Sequence, residues 1–295
     1  MNGWSNRRLT SLGCTMGCAV TGVLAVLCSA TISGAKTMHF APLPMQNRET
    51  IVKQFKPMML YLEQKLGCSI EFEYSDSYKD LVEKFSAGKV DIAYLGPLPY
   101  VELHAMYPQS EPVVKFNEES GNATYTCAIT HFAGTPVKLE GLRDAKIALT
   151  QPLSTCGYLS VRGLLKKKGS QIEENHYQYL DKHDAVALAV IQGEYQLGGL
   201  KTAIAKKYTH LGLTILEETP PFPAFSLVAN TATLSAEEVR AIQQALIGLD
   251  PKGKDRESLE TWGEAVRYGA IPAQDADFNT VREYKSGITI PDQGK

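Results

Sequence analysis

From Lys36 onward, apolar residues alternate between a two-residue and a three-to-four-residue rhythm. Met38-His39-Phe40-Ala41 reads as a first strand, stopped by Pro42 and Pro44. Ile51, Phe55, Met58, Met59, Leu62 and Leu66 recur at helical steps and predict a helix that ends at Gly67. Pro57 lies inside it, which predicts a kink or a break. Ile70 and Phe72 alternate with polar neighbours across Ser69–Tyr74, a strand pattern. Tyr78, Leu81, Val82 and Phe85 mark a short helix ended by Gly88. Val90–Leu95 is a compact apolar strand, and Gly96-Pro97-Leu98-Pro99 turns it into another helix. Such β-α repetition predicts a mostly parallel sheet covered on both faces.

Between Asn117 and Thr124 the chain turns polar, through Glu118, Glu119, Ser120, Gly121 and Asn122. A second β-α series follows. Its strands are expected at Tyr125–Ile129, Lys146–Thr150 and His176–Leu180, and its helices at Gly157–Lys168 and Ala185–Gln192. Lys166, Lys167 and Lys168, followed by Gly169, suit a helix C-terminus. A second, proline-rich linker runs Thr219-Pro220-Pro221-Phe222-Pro223, after which Phe225–Ala229 is apolar again and is expected to rejoin the first sheet. Ser235 and Glu238 form a capping-box pattern before Val239, Ile242, Leu246 and Leu249. Two linkers bracketing an insertion imply a discontinuous first lobe (36–118 plus 225–295) and an inserted second lobe (119–224). Hinge linkers are expected near 117–124 and 217–224. Ligands of open α/β sheets bind beyond the carboxyl ends of strands, so the two lobes should share one cleft.

The start of the chain changes the compartment. Arg7 and Arg8 precede 27 uncharged residues, Leu9–Ala35. This matches an exported signal peptide over residues 1–35, cleaved after Ala35 or Ala30. The competing readings are a retained membrane anchor and a lipid anchor on Cys28. Removal of 1–35 takes away Cys14, Cys18 and Cys28 and leaves Cys68, Cys127 and Cys156 in a space that permits disulfides. A net charge of −2 and a pI near 6.3 give no electrostatic footprint for nucleic acid. Hydrophobic residues at 44% and charged residues at 21% place the remainder among globular proteins.

Three loops are candidates for the cleft. Gln151-Pro152-Leu153-Ser154-Thr155-Cys156-Gly157-Tyr158 joins a strand to a helix, and its hydroxyls and free N–H groups suit an anion without any lysine. The same residues also fit an ordinary helix N-cap. Tyr94-Leu95-Gly96-Pro97 is a second strand-helix turn, and Lys182-His183-Asp184 opens a helix. No P-loop, His-Glu-x-x-His or Gly-x-Ser-x-Gly occurs, so no catalytic residue is assigned beyond a conceivable Cys156–His183 pair.

Taken in order, these segments resemble the phosphonate/phosphite-binding periplasmic proteins of ABC transporters. The resemblance rests on four segments. They are Pro57–Gly67, the run Gly88-Lys89-Val90-Asp91-Ile92-Ala93-Tyr94-Leu95-Gly96-Pro97, the loop Ser154-Thr155-Cys156-Gly157-Tyr158, and His183–Gly193. It implies the type II periplasmic binding protein fold and a ligand held by Ser154, Thr155 and His183. Further contacts are implied from the Cys156–Gly157 turn, Tyr94, Leu95, Gly96 and, in the first-strand loop, Gln46. Two positions depart from the family pattern. Cys156 replaces a serine, and Gln196 stands where an aspartate often accepts a proton-bearing ligand group. An amide at Gln196 also donates and so tolerates a fully deprotonated oxyanion.

The expected function is capture of a small oxyanion (phosphonate, phosphite, phosphate or an arsenic analogue) and its delivery to an ABC permease. The expected protein is a monomer with no cofactor and no metal. The competing function is a sensory co-receptor that reports an oxyanion, arsenite and arsenate included, to a membrane histidine kinase. Export and placement at strand ends favour a Cys127–Cys156 disulfide. The alternative is a Cys156 thiolate on a soft centre such as trivalent arsenic.

Overall fold

The structure, a computed structural model, describes Met1 and residues 36–295. The expected signal peptide, with Arg7, Arg8, Cys14, Cys18 and Cys28, lies outside the described residues. Residues 36–295 belong to one compact unit.

Its first part runs β1 (Thr37–Pro42), α1 (Arg48–Leu66), β2 (Ser69–Phe72), α2 (Tyr78–Ser86), β3 (Ile92–Leu95), α3 (Pro97–Met106) and β4 (Ser110–Phe116). The chain crosses over through β5 (Thr124–Tyr125) and continues as β6 (Cys127–Phe132), β7 (Lys146–Leu149), α4 (Ser160–Lys167), β8 (His176–Tyr179), α5 (His183–Ile191), β9 (Leu197–Lys201), α6 (Thr202–Lys207) and β10 (Leu213–Glu218). It returns through β11 (Phe222–Pro223) to β12 (Ser226–Asn230), α7 (Ala236–Ile247), α8 (Arg256–Glu260), β13 (Ala270–Pro272) and α9 (Asn279–Lys285).

Two sheets result. The first has the order β13-β4-β12-β3-β1-β2 and the second β10-β6-β9-β7-β8, while β5 and β11 pair with each other where the chain crosses. In the first sheet β1–β4 share one direction, and β12 and β13 oppose them. In the second sheet only β6 opposes the other four. The expected parallel character therefore holds for strand direction, but neighbouring pairs are mixed. The cause is topological: β12 and β6 each enter their sheet from the crossover, at the end where the parallel strands finish. β12 inserts between β3 and β4, which is where the Phe225–Ala229 run rejoins the first sheet.

Alternation along the second sheet explains its two-faced core. Ile147, Leu149 and Leu197 pack with Val161, Leu164 and Leu165 of α4. Ala148 and Leu200 pack on the other side with Val186, Ala187 and Val190 of α5. The centre of β9 is Gly198-Gly199, and both helices lie close to it. A Cβ on Gly198 would sit 2.8 Å from Val186, and one on Gly199 would sit 2.3 Å from Val161.

Two local expectations are corrected. α1 is one 19-residue helix that continues through Pro57. Proline there removes only the bond to the Lys53 carbonyl, on an exposed side of the helix where water can satisfy it. The helix expected from Gly157 begins as an irregular turn, Thr155–Leu159, with Gly157 at φ −82°, ψ −126°; regular α4 starts at Ser160. The turn is pressed against the end of β7, since a Gly157 Cβ would lie 2.9 Å from Thr150 Oγ1.

Candidate functional site

The carboxyl ends of β1 and β3 in one lobe and of β7 and β9 in the other meet at a small cavity. The first lobe contributes Leu43, Tyr78, Gly96, Pro99 and Phe225; the second contributes Tyr125, Ser154, Thr155, Cys156, His183 and Lys201. Its volume is about 10 Å³, barely that of one water-sized sphere and far below the ~300–1,000 Å³ of drug-sized sites. The cleft between the lobes is thus nearly filled by side chains in this arrangement.

Two helix N-termini of the first lobe meet the 151–155 loop of the second. The Tyr78 N–H, at the start of α2, donates to Gln151 Oε1 at 2.8 Å. The Leu98 N–H, in the first turn of α3, donates to Thr155 Oγ1 at 3.0 Å. Both are orphan donors that a helix start leaves without an internal partner. The Tyr125 phenol lies beside Thr155 and the Tyr78 phenol beside Ser154 in the lining of the cavity. Burial pushes both phenols well above their ordinary pKa, so they are neutral hydroxyls able to donate. Neither Ser154 nor Thr155 caps the turn that follows, because Ser154 makes no side-chain cap bond and Thr155 faces the other lobe. The ordinary N-cap reading of this loop is thereby set aside.

His183 is 2% exposed. Its Nδ1 accepts the Lys201 N–H at 3.2 Å, which places the proton of the neutral ring on Nε2. Burial, aided by the nearby Lys201 ammonium, lowers its pKa to about 3. The ring therefore enters the site as an uncharged donor. Lys201 supplies the positive charge at the cavity. Its Nζ sits 2.6 Å from Glu118 Oε1, in the first crossover, and 5.1 and 5.2 Å from the ring centroids of Tyr125 and Phe225. Cys127 and Cys156 are joined in a disulfide that anchors the loop to β6.

Of the residues picked out in the sequence, Gly96, Ser154, Thr155, Cys156 and His183 come together around the cavity. Gly96 allows the Phe225 ring to close over it; a Cβ there would lie 3.1 Å from that ring. Gly157 lies behind the loop and supports its turn. The others fall elsewhere. Tyr94 points into the first lobe's core, stacked on Phe225 with centroids 5.2 Å apart, and Leu95 is buried in the same core. β3 is buried along its whole length, so both of its faces lie in that core. Gln46 receives the Gln54 amide at 2.7 Å, on α1, so the first-strand loop contributes Leu43 instead. Gln196 precedes β9, and its Oε1 accepts the Lys146 N–H at 2.9 Å. Five residues of strand, ~16 Å, separate it from Lys201 at the cavity.

Lys201, Tyr78 and Tyr125 were missed as contributors, and the loop was read as an anion site without a lysine. One signal was available for Lys201: it closes the apolar run Leu197-Gly198-Gly199-Leu200, at the carboxyl end of a strand. Tyr78 carried only a core signal, as one position of a helical face.

Residues 40–278 match the family described as ABC transporter, phosphonate, periplasmic substrate-binding protein. The phosphate-import protein PhnD of Mycolicibacterium smegmatis is 26% identical over 279 residues, covering 86% of this chain and 87% of the relative. The methylphosphonate complex of PhnD1 from Prochlorococcus marinus superposes with a TM-score of 0.73 at 17% identity, covering 85% of this chain and 97% of that one. A binding-protein component of an ABC phosphonate transporter from Pseudomonas aeruginosa gives 0.73 at 16% identity, covering 85% and 86%. These likenesses extend over both lobes, and the solved structures share the two-lobed type II architecture.

Proposed function

Because the chain belongs to the family of periplasmic substrate-binding proteins of phosphonate ABC transporters, an extracytoplasmic transport family and not an enzyme family, we propose that it captures a small phosphorus oxyanion between its lobes. The candidates are phosphate, phosphite and short phosphonates, and the bound anion is handed to a membrane permease. The observation that carries this is the convergence of Ser154, Thr155 and His183 from one lobe with the start of α3 from the other, around a small cavity.

In the proposed complex the anion's oxygens take the donors that now serve the interlobe contacts. The Leu98 N–H turns from Thr155 Oγ1 to an anion oxygen, and the Ser154 and Thr155 hydroxyls donate their protons to the ligand. The His183 Nε2–H and the neutral phenols complete the ring of donors. Charge-assisted bonds of this kind are the strong ones. The likeness to a phosphate-import protein supports an inorganic anion, and the likeness to a methylphosphonate complex supports a short phosphonate. Both Cys156 and Cys127 sulfurs are bonded to each other, so a soft arsenic(III) centre finds no thiolate and the donor set suits hard oxyanions. Admission requires opening about the crossovers at 117–124 and 217–224, which we take as hinges.

The test is calorimetric titration of the purified protein with phosphate, phosphite, methylphosphonate and sulfate. Saturable one-to-one binding of at least one phosphorus anion, tighter than sulfate, is expected. No binding of any phosphorus anion would overturn the reading.

A further inference from the structure

We propose that Lys201 is the specificity-determining cation of the cleft, and that it restricts the site to anions that carry no ammonium group. This rests on the oxyanion reading above and goes on to name the ligand class. Lys201 sits at the carboxyl end of β9 and lines the cavity, with its side chain only 15% exposed. It is held there from three sides: by Glu118 at 2.6 Å and by the faces of Tyr125 and Phe225. An ammonium has three donors, and Glu118 uses one. The charge is thus fixed in position with donors to spare.

The rest of the lining is uncharged. Ser154, Thr155, Tyr78 and Tyr125 present neutral hydroxyls, and His183 is a neutral imidazole. Leu43, Pro99 and Phe225 are apolar. Among the described residues no carboxylate lines the cavity; Glu118 is paired with Lys201. A zwitterionic phosphonate would place its ammonium in a closed, desolvated space beside a second ammonium, with no acceptor of opposite charge. Like charges repel strongly when desolvated. A bare phosphate, a phosphite or a methylphosphonate meets no such conflict and gains the lysine's attraction. Glu118 belongs to the first crossover, so the residue that reads ligand charge is tied to a segment joining the lobes.

The experiment compares inorganic phosphate, phosphite, methylphosphonate and 2-aminoethylphosphonate by calorimetry on the wild type, Lys201→Gln, Lys201→Glu, Glu118→Gln and the Lys201→Gln/Glu118→Gln double variant. Thermal melts of the ligand-free proteins check folding. The wild type should bind its best bare anion at least 100-fold more tightly than 2-aminoethylphosphonate. Lys201→Gln should weaken that anion about 10- to 100-fold, and the double variant should behave alike, which separates loss of the cation from an unpaired Glu118. Glu118→Gln, which leaves the lysine's charge uncompensated, should tighten the anion. Lys201→Glu should move the preference toward 2-aminoethylphosphonate by at least tenfold. If Lys201→Gln changes every probe by less than threefold, or weakens all four equally, Lys201 is not the discriminating group. If the wild type binds none of the phosphorus anions, the oxyanion reading itself is lost.

Discussion

Replacing Thr155 with valine removes one hydroxyl and keeps the side chain's shape. In the ligand-free protein Thr155 Oγ1 accepts the Leu98 N–H at 3.0 Å. Leu98 is fully buried, so in the closed arrangement that donor would be stranded. A stranded buried donor costs about 1–3 kcal/mol. The closed arrangement is therefore weakened by about 1–3 kcal/mol, part of which returns if the lobes part and water reaches the Leu98 N–H. In the proposed ligand complex the hydroxyl would instead donate to an anion, a bond worth about 1.5–3 kcal/mol. Affinity for the best phosphorus anion should fall about 10- to 150-fold. Titration calorimetry reads the affinity, and urea denaturation without ligand reads the stability. Affinity within threefold of wild type would refute the placement of Thr155 in the anion site. Unchanged ligand-free stability would refute the energetic reading of the Leu98 contact.

Three further outcomes are expected. His183, with a pKa near 3 in the folded protein, is neutral there, whereas the unfolded chain protonates it below its ordinary ~6.5. Stability should therefore be fully present above pH 6.5 and decline as pH falls toward 3, by about 1.4 kcal/mol per unit. His183→Asn, which keeps an acceptor for the Lys201 N–H, should flatten that slope in urea melts taken across pH, and an unaltered slope would assign it to other groups. The Cys127–Cys156 bridge spans a sequence separation of 29, for which chain entropy gives roughly 3–4 kcal/mol; the double serine variant should lose that much, and a loss under ~1 kcal/mol would show the bridge does little for stability. Finally, residues 286–295 strap the lobes together. Ile288 and Ile290 pack against the cores of both, Tyr179 donates to the Pro291 carbonyl, and Lys295 pairs with the backbone of Tyr177. Deleting 286–295 should lower the melting temperature and speed backbone amide exchange in β8; unchanged exchange there would deny the strap a role.

Local chemistry alone determined most of the elements. The capping box of Ser235 and Glu238 forms with both of its bonds, and Gly67, Gly88, Gly169 and Gly193 adopt the positive φ that stops their helices. These features depend on partners within a turn or two, so spacing suffices to read them. The hydroxyl loop and His183 were legible for the same reason: each lies where a strand gives way to a helix. What surrounds them was not. The Leu98–Thr155 and Tyr78–Gln151 bonds join residues 57 and 73 apart, and the Lys201–Glu118 pair joins residues 83 apart. No periodicity encodes which strand ends face one another across two crossovers. Gln196 and Lys201 belong to one short stretch, yet the direction of β9 puts only the lysine at the cleft. Tyr94 and Leu95 precede Gly96 directly, yet the packing of helices and neighbouring strands on both faces of β3 buries them in the core. The charge of the site, and hence the class of ligand it accepts, came from that assembly of distant segments.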